Sequence, residues 1–273
     1  MKDNLKPILK WAGGKRQMLP ELIKCFPKKF NRYLEPFIGG GALFFFINKN
    51  NSIISDTNKE LINLYKEISK NPKKIIKNLK KYKNNKDFFY NIRKSVPNNL
   101  TDKACRTIYL NRTCFNGLYR VNKKGEFNVP FANNKNVRLI DENNLLKVSK
   151  LLKKTKILNL SYDLLLKKYA KKNDLIFLDP PYLPVSKYSD FKRYTKEQFY
   201  LGDHKKLANL FEELHKKGCY LILTNSTSSE VIKLYKKFNI KIFNTKRNIN
   251  SKGNLRTGKD IIVTNYETSI WTI

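Results

Sequence analysis

The stretch Tyr33-Leu-Glu-Pro-Phe-Ile-Gly-Gly-Gly-Ala42 joins a β-rich run to three consecutive glycines. Residues Tyr33–Phe37 predict a short strand, Gly39–Gly41 a tight turn and Ala42–Lys49 a helix, and a second strand is expected at Ser52–Ser55. Glycines let the backbone approach a ligand, and a helix amino terminus offers unpaired N–H groups to the negative end of that ligand. The stretch therefore indicates a ligand-binding loop, with an ordinary tight turn as the alternative.

Asp56 follows the second strand and strengthens this prediction. A carboxylate at this point can accept hydrogen bonds from both hydroxyls of a ribose. Alternatively, Asp56 caps a helix that begins near Asn58. Neither G-x-G-x-x-G nor the Walker pattern occurs, because Gly13-Gly14-Lys15 has the wrong spacing and no following Ser or Thr. We therefore expect a ligand other than a polyphosphate.

The alternation of short β-rich runs with amphipathic stretches predicts an α/β fold with a wound, Rossmann-like sheet. Further strands are predicted at Lys156–Leu160, Asp174–Leu178, Tyr220–Leu223, Ile240–Phe243 and Ile261–Thr264. Helices are predicted between some of these strands, at Tyr162–Tyr169, Asp203–Lys217 and Ser229–Phe238. No internal repeat of 20 to 50 residues is present.

The segment between residues 59 and 150 interrupts the alternation. Four helices are predicted in succession, at Glu60–Ser69, Pro72–Tyr82, Phe88–Lys94 and Lys103–Leu110. Asn122-Lys-Lys-Gly125, between apolar and aromatic residues, predicts a β-hairpin whose glycine supplies the positive φ angle. We therefore expect a discontinuous catalytic domain, 1–58 with 151–273, and an inserted, mostly helical recognition domain, 59–150.

The chain carries a formal net charge of +34, which favours binding to a polyanion, nucleic acid before all others. A lysine bias from an AT-rich coding background is the alternative source of this charge. A membrane surface is a less favoured partner, since no apolar run of about 18 residues occurs and the first ten residues lack the apolar core of a signal peptide. We expect a cytoplasmic, nucleoid-associated monomer that does not bind membranes.

The four cysteines, Cys25, Cys105, Cys114 and Cys219, are scattered and form no C-x-x-C pair. The two histidines, His204 and His215, are far in sequence from three of them. The pattern predicts no metal site, and small buried thiols rather than a nucleophile or a disulfide framework.

Asp179-Pro-Pro-Tyr182 follows the apolar run Leu175–Leu178, which places it at the carboxyl edge of the sheet, where ligands bind. An amine on an aromatic base is a poor nucleophile, because its lone pair is delocalised into the ring. The Asp179 carboxylate and the Pro180 carbonyl can each accept one hydrogen of that amine, and Tyr182 offers a face for stacking. The motif therefore predicts methyl transfer to such an amine, and a simple strand-ending turn is the alternative.

Five motifs, in this order, resemble those of the Dam-type (D12 class) DNA adenine-N6 methyltransferases. They are Leu9-Lys-Trp-Ala-Gly-Gly-Lys15, Tyr33–Ala42, Ile54-Ser-Asp-Thr-Asn58, Cys114-Phe-Asn-Gly-Leu-Tyr-Arg120 with Gly125-Glu-Phe-Asn-Val-Pro130, and Asp179–Tyr182. The resemblance covers nearly the whole chain. It implies a methyltransferase that uses S-adenosylmethionine, releases S-adenosylhomocysteine and acts on double-stranded DNA.

The resemblance also assigns roles to individual residues. The catalytic residues would be Asp179, Pro180, Pro181 and Tyr182. The residues expected to bind S-adenosylmethionine are Trp11, Lys15, Glu35, Phe37, Gly39, Gly41, Asp56 and Asp179. The residues expected to contact DNA are Phe115, Asn116, Leu118, Arg120, Asn122 and Pro130.

The DNA-contacting residues imply the target GATC, with the adenine rotated out of the helix. Arg120 could donate two hydrogen bonds to a guanine, and Phe115 could fill the space that the base leaves. Their alternatives are a phosphate contact for Arg120 and a core position for Phe115. After Pro130, the segment 131–138 departs from the Gly-Arg-Tyr or Gly-Lys-Tyr pattern of the family, so flank contacts are not carried over.

Several alternatives stay open at this point. The acceptor amine could belong to cytosine N4, to adenine in RNA or to a protein glutamine, and the chain could be a non-catalytic nucleic-acid-binding module. Thr224-Asn-Ser226 resembles a family position at the target-base pocket, or forms an Asx-type turn. The segment Arg247–Lys259 is interpreted as a DNA-contacting loop or a solvated linker.

Overall fold

Short runs rich in apolar and β-branched residues form a seven-stranded sheet. The computed structural model describes residues 5–11, 13, 15–122, 124–183, 199–246 and 257–268. Within them the strands are β1 (Tyr33–Glu35), β2 (Ile53–Ser55), β3 (Lys156–Leu158), β4 (Leu175–Leu178), β5 (Tyr220–Ser226), β6 (Asn239–Lys246) and β7 (Thr257–Thr264). Most of the segment Arg247–Lys259, interpreted above as a loop or linker, lies outside the described residues.

The sheet is mixed, with the strand order β3-β2-β1-β4-β5-β7-β6. The pairs β2·β3, β1·β4 and β4·β5 are parallel, whereas β7 runs antiparallel to β5 and β6. The strand order reverses between β1 and β4, which makes their carboxyl ends the topological switch point of the sheet. The predicted α/β fold with a Rossmann-like sheet is confirmed.

The central strand β4 consists of Leu175-Ile-Phe-Leu178, and all four side chains are buried. A parallel strand covered on both faces has no solvated side, so an uninterrupted apolar run is what this position requires. The neighbouring strand β5 is buried from Leu221 to Ser226. These two buried strands support the segment that begins at Asp179, directly after β4.

Ten α-helices accompany the strands in the described part of the chain. They are α1 (Leu19–Lys24), α2 (Ala42–Ile47), α3 (Lys59–Lys70), α4 (Pro72–Leu79), α5 (Lys86–Lys94), α6 (Leu100–Thr113), α7 (Glu142–Lys153), α8 (Tyr162–Tyr169), α9 (Leu201–Lys216) and α10 (Ser229–Leu234). Short 3₁₀ turns occur at Lys15–Gln17 and Phe115–Gly117.

Side-chain caps fix where several helices begin. Asn58 caps α3, Asn85 caps α5 and Asn99 caps α6, and each side-chain oxygen accepts a backbone N–H of the first turn. Asp141 does the same for α7, a helix that the sequence analysis missed. The predicted helices of the segment 59–150 are all present, with boundaries shifted by a few residues.

The chain divides into two compact units. Among the described residues, the first comprises 5–11, 13, 38–122 and 124–160 and contains β2, β3 and the helices α2 to α7. The second comprises the described residues 15–37, 161–183, 199–246 and 257–268 and contains the other five strands with α1 and α8 to α10. The predicted domain boundaries, with an insertion at 59–150, stay a prediction.

The predicted hairpin turn lies in the first unit. Val121 and Phe127 form an antiparallel bridge, the Asn122 N–H donates to the Glu126 carbonyl over 2.9 Å, and Gly125 has a φ of 83°. A positive φ is why glycine is needed at this position of the turn.

Candidate active site

The carboxyl ends of β1 and β4 bring the first group of candidate residues together in the second unit. Asp179 follows β4 directly, and Phe37 lies two residues beyond the end of β1. In open α/β sheets this switch point is where ligands bind. The Asp179 carboxylate is one of its polar groups.

Two donors converge on one oxygen of Asp179. The Lys15 ammonium lies 2.7 Å from Oδ1, and the Thr224 hydroxyl donates to the same atom over 2.7 Å. The Lys15 nitrogen also lies over the Tyr182 ring, 4.7 Å from its centroid. A cation so placed is attracted both to the carboxylate and to the negative face of the ring.

Lys15 is buried, and burial alone would lower its pKa. The attraction of Asp179 and Tyr182 outweighs that penalty, and the pKa of Lys15 is raised above its ordinary value. The ammonium therefore stays charged at any pH at which the protein would be assayed. The Lys15 ammonium and the Asp179 carboxylate form an ion pair at the switch point.

The end of β1 contributes a carboxylate and an aromatic ring. Glu35 is buried, and the Tyr33 hydroxyl donates to Glu35 Oε2 over 2.7 Å. The ring of Phe37 stacks on Tyr162 at a centroid distance of 5.3 Å and meets Phe199 edge-on at 6.0 Å. The second unit thus places an apolar aromatic surface next to the strand that carries Glu35.

Asp56 and the glycine turn come together in the first unit. Asp56 Oδ2 accepts the Gly39 N–H over 3.1 Å, and Oδ1 accepts the Asn58 N–H over 2.9 Å. Burial raises the pKa of Asp56, although these backbone hydrogen bonds oppose the shift. Since Asn58 caps α3, the alternative in which Asp56 caps that helix is wrong.

The glycines of the turn have a structural reason of their own. Gly39 and Gly41 have φ angles of 45° and 67°. A Cβ at Gly39 would lie 2.9 Å from Trp11 Nε1, and one at Gly40 would lie 2.7 Å from Trp11 Cβ. The absence of a side chain at Gly39 and Gly40, predicted to let a ligand approach the backbone, therefore also makes room for the Trp11 side chain.

Most of the predicted DNA-contacting residues lie on an exposed segment of the first unit. Phe115 is 52% exposed, and Asn116, Arg120 and Pro130 are also exposed, whereas Leu118 is half-buried. The core alternative for Phe115 is therefore wrong. The Phe115 N–H donates to the Pro130 carbonyl over 2.9 Å, which holds these two residues side by side.

Arg120 and Asn122 form side-chain hydrogen bonds within the hairpin. Arg120 Nε donates to Asn128 Oδ1 over 2.9 Å, which orients the guanidinium group. The Asn122 side chain accepts the N–H groups of Lys124 and Glu126 and donates to the Glu126 carboxylate. Asn122 therefore holds the turn in shape in this structure.

Two anchors of the exposed segment were missed by the sequence analysis. The buried Asn111 side chain donates to the Lys10 and Gly117 carbonyls over 2.8 and 3.0 Å. Tyr119 stacks on Trp11 at a centroid distance of 5.1 Å, and its hydroxyl donates to Glu60 over 2.8 Å. The contact of Asn111 with Lys10 spans 101 positions, so no local pattern marks it.

Metal ligands and reactive thiols are the other candidate groups in the described part of the chain. The described residues contain no group of three or more His, Cys, Asp or Glu side chains placed to hold a metal ion. All four cysteines are buried, and burial raises the pKa of Cys114 to about 12 and of Cys219 to about 11. Among the helices of the described part, none combines the length and apolar character needed to cross a membrane.

The fold and these residues define a class. A Rossmann-like sheet carries a glycine turn, a carboxylate after β2 and an Asp-Pro-Pro-Tyr segment after β4, which is the arrangement expected of a methyltransferase. The chain belongs to the D12 class N6 adenine-specific DNA methyltransferase family, whose model matches residues 11–249. Enzymes of this family use S-adenosylmethionine as methyl donor and DNA as substrate.

Relatives support this placement over nearly the full length. The chain is 41% identical to the type II methyltransferase M1.LlaDCHI of Lactococcus lactis subsp. cremoris, with 97% of each chain covered. It is 39% identical to the type II methyltransferase M.MjaIII of Methanocaldococcus jannaschii, with 96% and 99% covered. A DNA adenine methylase of Haemophilus influenzae is 33% identical, with 91% and 90% covered.

Proposed function

We propose that this chain transfers the methyl group of S-adenosylmethionine to N6 of adenine in double-stranded DNA, at GATC, with the target adenine rotated out of the helix. The observation that carries the proposal is the Asp179 carboxylate at the switch point of the sheet, held by Lys15 and Thr224. It stands where a ligand reaches it and has acceptor capacity left for an amine.

The described residues fit S-adenosylmethionine. Asp56 accepts the backbone N–H groups of Gly39 and Asn58, and a carboxylate with about four acceptor sites keeps capacity for a ribose hydroxyl. When bound, S-adenosylmethionine supplies an electrophilic methyl group on a sulfonium, and S-adenosylhomocysteine is the leaving group. The residues proposed to hold it are Trp11, Lys15, Glu35, Phe37, Gly39, Gly41, Asp56 and Asp179.

The proposed catalytic segment is Asp179-Pro180-Pro181-Tyr182. Asp179 and the Pro180 carbonyl each accept one hydrogen of the adenine amine, which keeps the nitrogen lone pair directed at the methyl group and stabilises the positive charge that develops on nitrogen. Two consecutive prolines fix their own φ angles and so hold the Pro180 carbonyl in place. Tyr182 offers its ring for stacking of the extruded base.

Substrate recognition follows from charge and from the exposed segment. A net charge of +34 attracts duplex phosphates without regard to sequence. Arg120 is exposed and, apart from its Nε bond to Asn128, keeps its terminal N–H groups for a guanine edge. The exposed Phe115 is placed to fill the gap left by the extruded adenine.

The test maps methylated adenine at base resolution on a plasmid incubated with the protein and S-adenosylmethionine. The wild-type chain is expected to methylate adenine within GATC. Asp179→Asn removes the charge while keeping the shape, and we expect it to lower the rate by roughly 100-fold or more, because the developing charge loses its partner. Asp87→Asn, an exposed aspartate in the first turn of α5, is the matched control and should act like wild type.

Other outcomes assign other functions. Methylated adenine spread over other sequences would overturn GATC and keep the reaction. Methyl transfer to cytosine, RNA or protein in place of duplex adenine would overturn the acceptor. A folded chain that binds DNA and transfers no methyl group to any of these acceptors would favour a non-catalytic binding module.

A further inference from the structure

We propose that Thr224 is a positioning residue that fixes which oxygen of Asp179 meets the target amine. The inference rests on the proposed function, because it concerns the reaction on adenine. Thr224 is fully buried, and its hydroxyl donates to Asp179 Oδ1 over 2.7 Å. It acts on the substrate through Asp179.

The register of the sheet explains why these two residues meet. In the parallel pair β4·β5, Leu178 lies opposite Leu223, so Asp179 and Thr224 each come one residue later. Strand β5 continues beyond that point and pairs with β7, where Thr224 lies opposite Ile262. The backbone of Thr224 is thus fixed within the sheet, and its β-branched side chain has few rotamers.

The distribution of hydrogen bonds makes the two oxygens of Asp179 different. Oδ1 accepts from both Lys15 and Thr224, each over 2.7 Å. No described group donates a hydrogen bond to Oδ2. Because Oδ1 already has two strong donors, Oδ2 is the better acceptor for the amine.

The next residues of β5 hold the other end of the same segment. The Leu183 N–H donates to Asn225 Oδ1 over 3.3 Å, and the Ser226 hydroxyl donates to the Leu183 carbonyl over 2.7 Å. Thr224, Asn225 and Ser226 therefore fasten the segment 179–183 at both ends. Of the three, only Thr224 bonds the carboxylate itself, so together with Lys15 it sets the orientation of the oxygens.

Without the hydroxyl, Asp179 keeps Lys15 as a partner and loses the second constraint on its rotation. We expect Thr224→Val to lower kcat by roughly 10- to 100-fold, the range for a lost hydrogen bond to a charged group. The KM for S-adenosylmethionine should change little. Thr224→Ser restores the donor and should recover most of kcat.

A second measurement isolates the contact with the amine. Binding is compared for duplexes that carry adenine or purine, which lacks the amino group, at the target position. The ratio of the two affinities is compared between protein variants, so that the cost of extruding the base cancels. Thr224→Val should shift the ratio against adenine by roughly tenfold, whereas Thr224→Ser should keep the wild-type ratio.

Thr264→Val is the matched control, since Thr264 is a buried threonine on the adjacent strand whose hydroxyl donates to the Tyr266 carbonyl. It should leave both kcat and the ratio unchanged. Thr224→Val with a wild-type kcat, or with a lowered kcat and an unchanged ratio, would overturn the inference. If the wild-type chain itself methylates no duplex adenine, the proposed function fails instead, and the two failures are told apart.

Discussion

Lys15 and Asp179 share a site with little access to water, since their side chains are 7% and 20% exposed. Removing one member of such a pair leaves the other charge buried without its partner, at a cost of about 3–5 kcal/mol. We therefore expect Lys15→Met to lower the free energy of unfolding by roughly 3 kcal/mol. Urea denaturation of the purified chain measures this change.

A double variant separates stability from function. Lys15→Met with Asp179→Asn should regain much of the lost stability, because neither charge is then left alone, and should stay inactive. Lys24→Met is the control, because the Lys24 ammonium pairs with Glu21 on the surface and such pairs contribute about 0–1 kcal/mol. A Lys15→Met chain that unfolds like wild type would show that the pair does not stabilise the fold.

At the scale of elements, the start of α9 packs a histidine against the segment that follows Asp179. His204 is fully buried, its Nδ1 lies 3.4 Å from the Asn225 amide nitrogen, and its ring meets Phe199 edge-on. Burial lowers the pKa of His204 to about 4, against the opposing influence of Asp203 and the Pro181 backbone. The imidazole is therefore neutral in the folded chain near neutral pH.

This histidine makes the stability depend on pH. Between pH 6.5 and about pH 4, the unfolded chain binds a proton at His204 that the folded chain does not, so stability falls as the pH is lowered through that window. From pH 7 to pH 5 this one group should cost about 2 kcal/mol. Urea denaturation at both pH values should show that loss in wild type and a smaller one in His204→Gln.

His215→Gln serves as the control for that experiment, because it removes the other histidine of the chain, an exposed one on the same helix. It should lose stability with falling pH as wild type does. Equal pH dependence in wild type and His204→Gln would contradict the buried neutral imidazole.

Most of the elements could be predicted from local patterns. The apolar run Leu175–Leu178, the glycine turn and the Asp-Pro-Pro-Tyr motif mark the sheet and its switch point, and the structure has them there. Strand β5 extends to Ser226, beyond the predicted end at Leu223. The extension was not predicted because Thr224-Asn-Ser226 are polar, and it depends on pairing with β7.

The contacts that complete the site could not be predicted in this way. The Thr224 bond to Asp179 joins residues 45 positions apart, and it follows from the register of β4 against β5. The anchoring of the exposed segment by Asn111 depends on where Lys10 lies after folding. A local sequence pattern identifies candidate catalytic and binding residues. Tertiary contacts determine which atoms of those residues already form hydrogen bonds within the protein.

At the scale of the whole molecule, the net charge of +34 should dominate the affinity for DNA. Each phosphate neutralised by a cationic side chain releases a counterion. The logarithm of the binding constant therefore falls linearly with the logarithm of the salt concentration. Contacts with about 6–10 phosphates would weaken Kd by roughly 10³- to 10⁵-fold between about 50 and 200 mM salt. Fluorescence anisotropy with a labelled duplex measures the slope.

The same titration decides between the two roles considered for Arg120. If its guanidinium reads a guanine, Arg120→Ala should cost about 1–3 kcal/mol on GATC duplexes, relax the preference for guanine there and leave the salt slope nearly unchanged. If it contacts a phosphate, the loss should be equal on all sequences and the slope should fall by about one. We expect the first result, because the Nε bond to Asn128 holds the guanidinium in one orientation on the hairpin, as base recognition requires.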